Sequence, residues 1–182
     1  STATYWDGKT TAKAEENLLL QSQDFTTTWA NTNSSATANT ETAPDGTTTA
    51  DTITDDAISS AHYIFHASAT GVVVQTNTTY TFSCFMKAGT ADHGTLTISD
   101  FGNGGRFIAA EFDLTNGTVD TAIDGANGTL DSSSITFVGN GWYRCTITGE
   151  VAVVSSTTRV AVGISDGTTP MNTSFGVVIY SG

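Results

Sequence analysis

The chain has 182 residues, only 13% of them charged, and a formal net charge of −12 from 6 basic and 18 acidic side chains. A negative field of this size repels phosphate backbones and anionic headgroups, which argues against nucleic acid as a partner. No apolar run approaches the ~20 residues of a membrane-spanning helix, so we expect no membrane insertion.

Residues 1–16 show no clear hydrophobic period, and we expect a lead-in segment with at most one helical turn in "AKAEE". The chain begins at Ser1 rather than Met, as expected of a processed chain or an excised piece. From Asn17 the pattern changes to short strands, starting with the apolar "NLLLQS". A polar, Thr-rich stretch with a turn at 44–46 follows. Residues 17–182 are expected to form one domain.

Alternation of apolar and polar residues is clearest in "YTFSCFMKA", where Phe82, Cys84 and Met86 share one face of a strand. The same reading places Leu96 and Ile98 of "GTLTIS" inward. Further strands are indicated by "AHYIFHASA", "GVVVQT", "FIAAEFDLTNGTV", "TTRVAVGISD" and "FGVVIYSG". Nine or ten strands, regular turn signals and no long helical pattern predict an all-β fold, an antiparallel two-sheet β-sandwich of the jelly-roll type.

Two Asn-Gly pairs predict hairpins, Asn116-Gly117 and Asn140-Gly141. The second lies between "SITFV" and "WYRCTIT" and places Cys145 in an apolar row. A thiol in such a row keeps a high pKa and is a poor nucleophile. The two cysteines match no zinc spacing, and we expect buried thiols in preference to a disulfide.

Catalysis requires a constellation of residues that this sequence does not display. His62 and His66 share one face of a strand about 13 Å apart, too far to ligate one metal. Neither H-E-x-x-H nor G-x-S-x-G occurs. We therefore expect no enzyme, although the plentiful loop carboxylates leave a glycosidase pair open.

Calcium is a candidate cofactor, because loop carboxylates supply the hard oxygen ligands that it prefers. The alternative is a solvated acidic loop. The candidate ligands are Asp24, Asp51, Asp55 and Asp56.

Sugar binding calls for aromatic faces that stack on sugar C–H groups, with polar groups nearby for the hydroxyls. On the strand "AHYIFHASA", either the row with Tyr63 or the row with His62 is core, and the sequence leaves this open. Phe85 is expected to be exposed. For Trp142 the alternative is packing under a neighbouring loop or subunit. The candidates on strands are Tyr63, Phe85, Lys87, Trp142, Arg144 and Arg159; those in the Gly-rich loop are Asp100, Phe101, Asn103 and Arg106.

The order of the pieces "NLLLQSQDFTTTWA", "TAPDGTTTADTIT", "YTFSCFMKA", "FDLTNGTV", "GNGWYRCTITGE" and "GVVIYSG" resembles a jelly-roll domain of tailed-phage virion proteins, such as tail fibres. That domain is similar to carbohydrate-binding modules found beside polysaccharide-degrading enzymes. The resemblance covers residues 17–182. It implies a jelly roll without catalysis, often with a structural Ca²⁺.

The resemblance also implies a location and partners. We expect adhesion to host or environmental glycans, with the chain in a virion or outside the cell and other virion subunits as possible partners. One alternative is an accessory carbohydrate-binding module of a polysaccharide-degrading enzyme. Another is a purely structural virion domain without a ligand.

Overall fold

A computed structural model of the chain describes residues 4–6, 11–13, 17–19, 22–56, 60–67, 74–100, 106–152, 157–165, 167 and 176–180. These residues form fourteen β-strands and no helix, and all strand pairs are antiparallel. No helix capable of spanning a bilayer occurs among them. The prediction of an all-β antiparallel protein is confirmed.

Twelve of these strands form two six-stranded sheets. Sheet I contains, from edge to edge, β10 (Thr118–Asp124), β9 (Arg106–Asp113), β8 (His93–Asp100), β13 (Thr158–Ser165), β6 (His62–Ala67) and β3 (Ala30–Thr32). Sheet II contains, in the same way, β11 (Gly128–Gly139), β12 (Trp142–Val151), β7 (Tyr80–Ala88), β14 (Gly176–Tyr180), β5 (Ala50–Asp55) and β4 (Ser34–Glu41). In each sheet a late strand, β13 or β14, lies between two earlier ones.

The main hydrophobic core is built from one face of each sheet. Leu96 and Ile98 of β8 are fully buried, as are Met86 of β7 and Ile147 of β12, and all four belong to the same cluster. The sheets approach closely at Gly94, where an added Cβ would lie 2.6 Å from the Met86 sulfur. The inward rows predicted for β7, β8 and β12 are therefore confirmed.

Both predicted hairpins form, but with different turns. Asn140 and Gly141 have φ values of 51° and 80°, as a type I′ turn requires. In the other hairpin only Gly117 is left-handed, with φ 69°. There the Asp113 carboxylate accepts hydrogen bonds from the amides of Thr115 and Asn116, which stabilises a longer turn ending in a left-handed glycine.

The N-terminal region differs from its prediction. The lead-in contains a two-stranded ladder, β1 (Thr4–Trp6) with β2 (Thr11–Lys13). The described part of "NLLLQS", residues 17–19 and 22, is not a strand; the Leu19 amide donates to the Asn17 side chain instead. The Thr-rich stretch contains β3, β4 and β5. β4 was missed because only Ala36 of its residues packs against the main core, so the strand lacks apolar alternation. In "GVVVQT", residues 71–73 lie outside the described residues, and residues 74–76 are not a strand.

Cys84 and Cys145 are register partners on adjacent strands of sheet II. Both are buried in the core, and no disulfide joins them. Burial raises the pKa of the Cys145 thiol strongly, and the neighbouring Cys84 raises it further. The prediction of two buried thiols is confirmed.

Candidate functional site

The structure decides which row of β6 is core. His62, Ile64 and His66 are all buried, so Tyr63 and Phe65 lie on the outer face of sheet I. Two interactions explain how this histidine-containing row is accommodated. His62 Nδ1 lies 2.6 Å from the Asn33 carbonyl oxygen, and the His66 ring meets Trp29 edge-on with 5.5 Å between centroids.

Tyr63, Phe65 and Arg159 form one group on this outer face, which we call the aromatic patch. The two aromatic rings are half-buried and tilted by 54°, with 5.9 Å between their centroids. The Arg159 guanidinium carbon lies 4.0 Å from the Phe65 centroid, a cation–π contact. The contact forms because Arg159 is the register partner of Ala67, one row from Phe65 on the same face.

Next to the aromatic patch the sheet carries only small side chains. Ala161 and Gly163 of β13 are register partners of Phe65 and Tyr63, and on β8 they pair with Thr97 and Thr95. We call these four residues of β13 and β8 the small-residue floor. Gly163 is buried, and an added Cβ there would clash with the Thr95 hydroxyl oxygen, so the Thr95 side chain lies directly over this glycine.

β9, which lies next to β8 in sheet I, carries larger side chains on the same outer face. Phe107 and Glu111 alternate with the buried Ile108 and Phe112, so both lie on the outer face. β9 is three strand spacings from β6, roughly 14 Å at ~4.8 Å each. Large side chains on both sides of small ones make a shallow trough across this face. The trough presents aromatic rings, hydroxyls, a guanidinium and a carboxylate.

Among the described residues, the outward positions predicted on sheet II are arranged differently. Trp142 is only 1% exposed; its Nε1 donates to the Thr42 carbonyl (3.0 Å), and its ring packs with Ala43 and Ala50. Phe85 is half-buried and packs against this cluster, which corrects the expectation that its ring is exposed. The alternative interpretation of Trp142, in which its ring packs under a neighbouring loop, is the one that the structure shows.

The two cations on this face are also engaged. Lys87 Nζ lies 3.4 Å from a carboxylate oxygen of Glu41, with both side chains partly exposed. Arg144 is exposed, and its Nη2 donates to the Ser83 hydroxyl at 3.3 Å. Arg144 is also the register partner of the half-buried Phe85 on the same face.

The second predicted surface, the Gly-rich loop, is only partly described. Phe101 and Asn103 lie outside the described residues. Asp100 is buried, which corrects its placement on a binding surface. Arg106 is half-buried and donates to the Ala152 carbonyl at 3.0 Å.

The four aspartates proposed for calcium are not brought together as one ligand set. Asp51 is buried, and its two oxygens accept the backbone amides of Phe25 and Asn39. Asp24 accepts hydrogen bonds from Thr26 and Thr27, which lower the pKa of its carboxyl. Asp55 is buried at the end of β5, and Asp56 lies 3.6 Å from His62 Nδ1. These contacts indicate that the aspartates stabilise the surrounding loops through hydrogen bonds. Calcium binding stays a prediction.

A different group of ligand-type side chains meets at one end of the trough. His93 Nε2 lies 2.9 Å from Asp120 Oδ2 and 4.0 Å from Asp113 Oδ2, while His93 Nδ1 lies 2.7 Å from Asp92 Oδ1. Burial disfavours the imidazolium, but the hydrogen bonds to Asp92 and Asp120 outweigh it and raise the pKa of His93. Local sequence reasoning missed this group because its members come from three strands.

Comparison with known proteins does not assign the chain to a family. No protein-family model matches the chain, and a search of curated proteins finds no significant match.

Proposed function

We propose that the chain is a non-catalytic carbohydrate-binding domain of a phage virion protein, with a jelly-roll sandwich fold and a role in adhesion to host or environmental glycans. The fold proposal is supported by two antiparallel six-stranded sheets that contribute to one core. It is also supported by the insertion of β13 and β14 between earlier strands, which requires long connections of the Greek-key kind.

The observation that carries the binding proposal is the aromatic patch beside the small-residue floor. Tyr63 offers a ring face to the apolar side of a sugar, and the small-residue floor leaves room for the sugar to approach it. Stacking on Phe65 holds the Arg159 guanidinium, whose N–H groups are donors for sugar hydroxyls. The net charge of −12 disfavours polyanionic glycans, so neutral polysaccharides are the proposed class.

The absence of catalysis is proposed because the outer-face carboxylates nearest the small-residue floor already have structural partners. Glu111 accepts a hydrogen bond from the Ser165 hydroxyl. Asp113 accepts the amides of Thr115 and Asn116 in its own turn, together with the Asn116 side-chain amide. A glycosidase needs one carboxyl group that donates a proton and a second that acts as base or nucleophile.

The proposal is tested with an array of neutral polysaccharides, followed by titration of any ligand found. We expect reversible binding without release of reducing ends. Tyr63→Ala should weaken binding roughly five- to thirty-fold, equivalent to about 1–2 kcal/mol of lost stacking area. The matched control is Phe137→Ala, which removes a 61% exposed aromatic ring from sheet II. A blank array would contradict adhesion and favour a structural virion domain, whereas sugar release would favour an enzyme.

A further inference from the structure

The group around His93 has the arrangement of a metal site. His93 begins β8, its register partner Asp113 ends β9, and Asp120 lies in β10. The Nε2 atom of His93 and one carboxylate oxygen from each aspartate all lie within 4.8 Å of one another. Three adjacent strands of sheet I thus present three ligand-type atoms at one point.

A β-bulge brings Asp120 to this point. The register of β10 with β9 passes from Val119–Phe112 directly to Thr121–Glu111, so Asp120 is the extra residue of the bulge. Bulges turn a side chain away from the direction that regular alternation would give it, and they are common beside functional sites. The position of the Asp120 carboxylate against His93 Nε2 therefore depends on a specific irregularity of the strand.

The surrounding contacts orient the ligands. Without a metal, both ring nitrogens of His93 lie at hydrogen-bonding distance from carboxylates, Nδ1 from Asp92 and Nε2 from Asp120. With a metal bound, Nδ1–H would donate to Asp92 and leave the Nε2 lone pair for the ion. Carboxylate–histidine pairs of this kind commonly support metal-bound imidazoles. Asp113 accepts the two backbone amides of its turn through Oδ1 and the Asn116 side-chain amide through Oδ2, so a metal bond would use the second lone pair of Oδ2. The backbone passes close over the imidazole at Gly167, where an added Cβ would lie 3.2 Å from His93 Nε2.

We propose that His93, Asp113 and Asp120 bind a divalent transition-metal ion of the Zn²⁺ type. Ligand bonds of ~2.1 Å place neighbouring ligand atoms about 3.0–3.5 Å apart, and the distances of 2.9 and 4.0 Å from Nε2 bracket that range. One imidazole nitrogen with two carboxylates suits Zn²⁺, whereas Ca²⁺ takes oxygen ligands. Three protein ligands leave at least one position for water. The site is distinct from the four aspartates considered for calcium and does not depend on glycan binding.

The test is calorimetric titration of Zn²⁺ into untagged, chelator-treated protein, with the ring ¹⁵N signals of His93 followed by NMR. We expect one ion per chain and a large change at Nε2. His93→Gln and Asp120→Asn should each weaken binding at least about ten-fold, the scale seen when a metal site loses a supporting group. Asp131→Asn is the matched control, because it removes an exposed carboxylate in β11 of sheet II and should leave binding unchanged. Millimolar Ca²⁺ should not displace Zn²⁺.

Two results would overturn the proposal. The first is the absence of both heat and change at the His93 ring in the wild-type chain, which would mean that the carboxylates hold an imidazolium instead. The second is unchanged Zn²⁺ affinity in both variants. The NMR observation on the wild-type chain decides the question even if a variant folds poorly.

Discussion

Trp142 lies on the outer face of sheet II, yet its indole Nε1 donates a 3.0 Å hydrogen bond to the carbonyl of Thr42, a residue 100 positions earlier in the chain. The segment that follows Thr42 contributes Ala43 and Ala50, which pack on the indole and form a second, smaller core with it. An outward position in a strand is thus converted into a buried one by a distant loop.

Trp142→Ala should therefore lower stability rather than ligand affinity. The expected loss in the free energy of unfolding is about 3–5 kcal/mol, the usual cost of truncating a buried tryptophan. Urea denaturation followed by circular dichroism measures it. The control is Phe137→Ala, for which a loss of about 1 kcal/mol is expected, because that ring is 61% exposed and makes an edge-on contact with the Tyr143 ring. Similar losses in the two variants would show that the loop does not cover the indole in solution.

Two glycines with left-handed φ should respond differently to alanine. At Gly141 (φ 80°) an added Cβ meets only ordinary contacts with Lys87, so Gly141→Ala should cost about 1–2 kcal/mol of backbone strain. At Gly117 (φ 69°) the same Cβ would also lie 2.8 Å from the Tyr143 ring, so Gly117→Ala should cost more. Thermal melts of both variants give the comparison. Equal costs would argue that the Tyr143 ring moves aside freely.

The two thiols should be inert in the folded protein. Because burial raises the pKa of Cys145, a maleimide or disulfide reagent at pH 8 should label the chain only as fast as it unfolds. Full labelling of two thiols is expected in 6 M guanidinium. Rapid labelling of Cys145 under native conditions would contradict the packing of β7 against β12.

Arg159→Lys tests the cation–π contact of the aromatic patch. Lysine keeps the charge but loses the planar guanidinium that stacks on Phe65, so glycan affinity should fall several-fold, about 0.5–1 kcal/mol. Arg144→Lys is the matched control, since Arg144 is an exposed arginine on the other sheet, where it contacts the Ser83 hydroxyl and pairs with Phe85. Titration with the glycan found on the array measures both. Unchanged affinity in Arg159→Lys would show that charge alone matters, and equal losses in the two variants would show that the loss is not specific to the aromatic patch.

Much of the strand content was predictable from the sequence. Alternation in β7 and β8 placed Cys84, Met86, Leu96 and Ile98 inward, because a residue period of two assigns alternate side chains to opposite faces. The turn at Asn140-Gly141 was also predictable from the sequence, because asparagine and glycine are among the few residues that adopt positive φ without strain. These features depend on neighbours in the chain, which is why local pattern was sufficient.

Other features required the tertiary structure. Both faces of β6 carry aromatic or imidazole rings, so only packing against Trp29 and the Asn33 backbone decided that Tyr63 and Phe65 face outward. Trp142 and Phe85 alternate as surface residues do, and only a loop remote in sequence buries them.

The cluster around His93 is the clearest example of a feature that the sequence pattern could not predict. Its residues come from β8, β9 and β10, and Asp120 reaches His93 through a one-residue bulge that strict alternation does not predict. Sequence pattern alone determined the strands with clear alternation, such as β7 and β8, and their apolar faces, because these depend on local stereochemistry and hydrophobicity. Which polar side chains meet was decided only by the register between strands, since a shift of one residue turns a side chain to the opposite face.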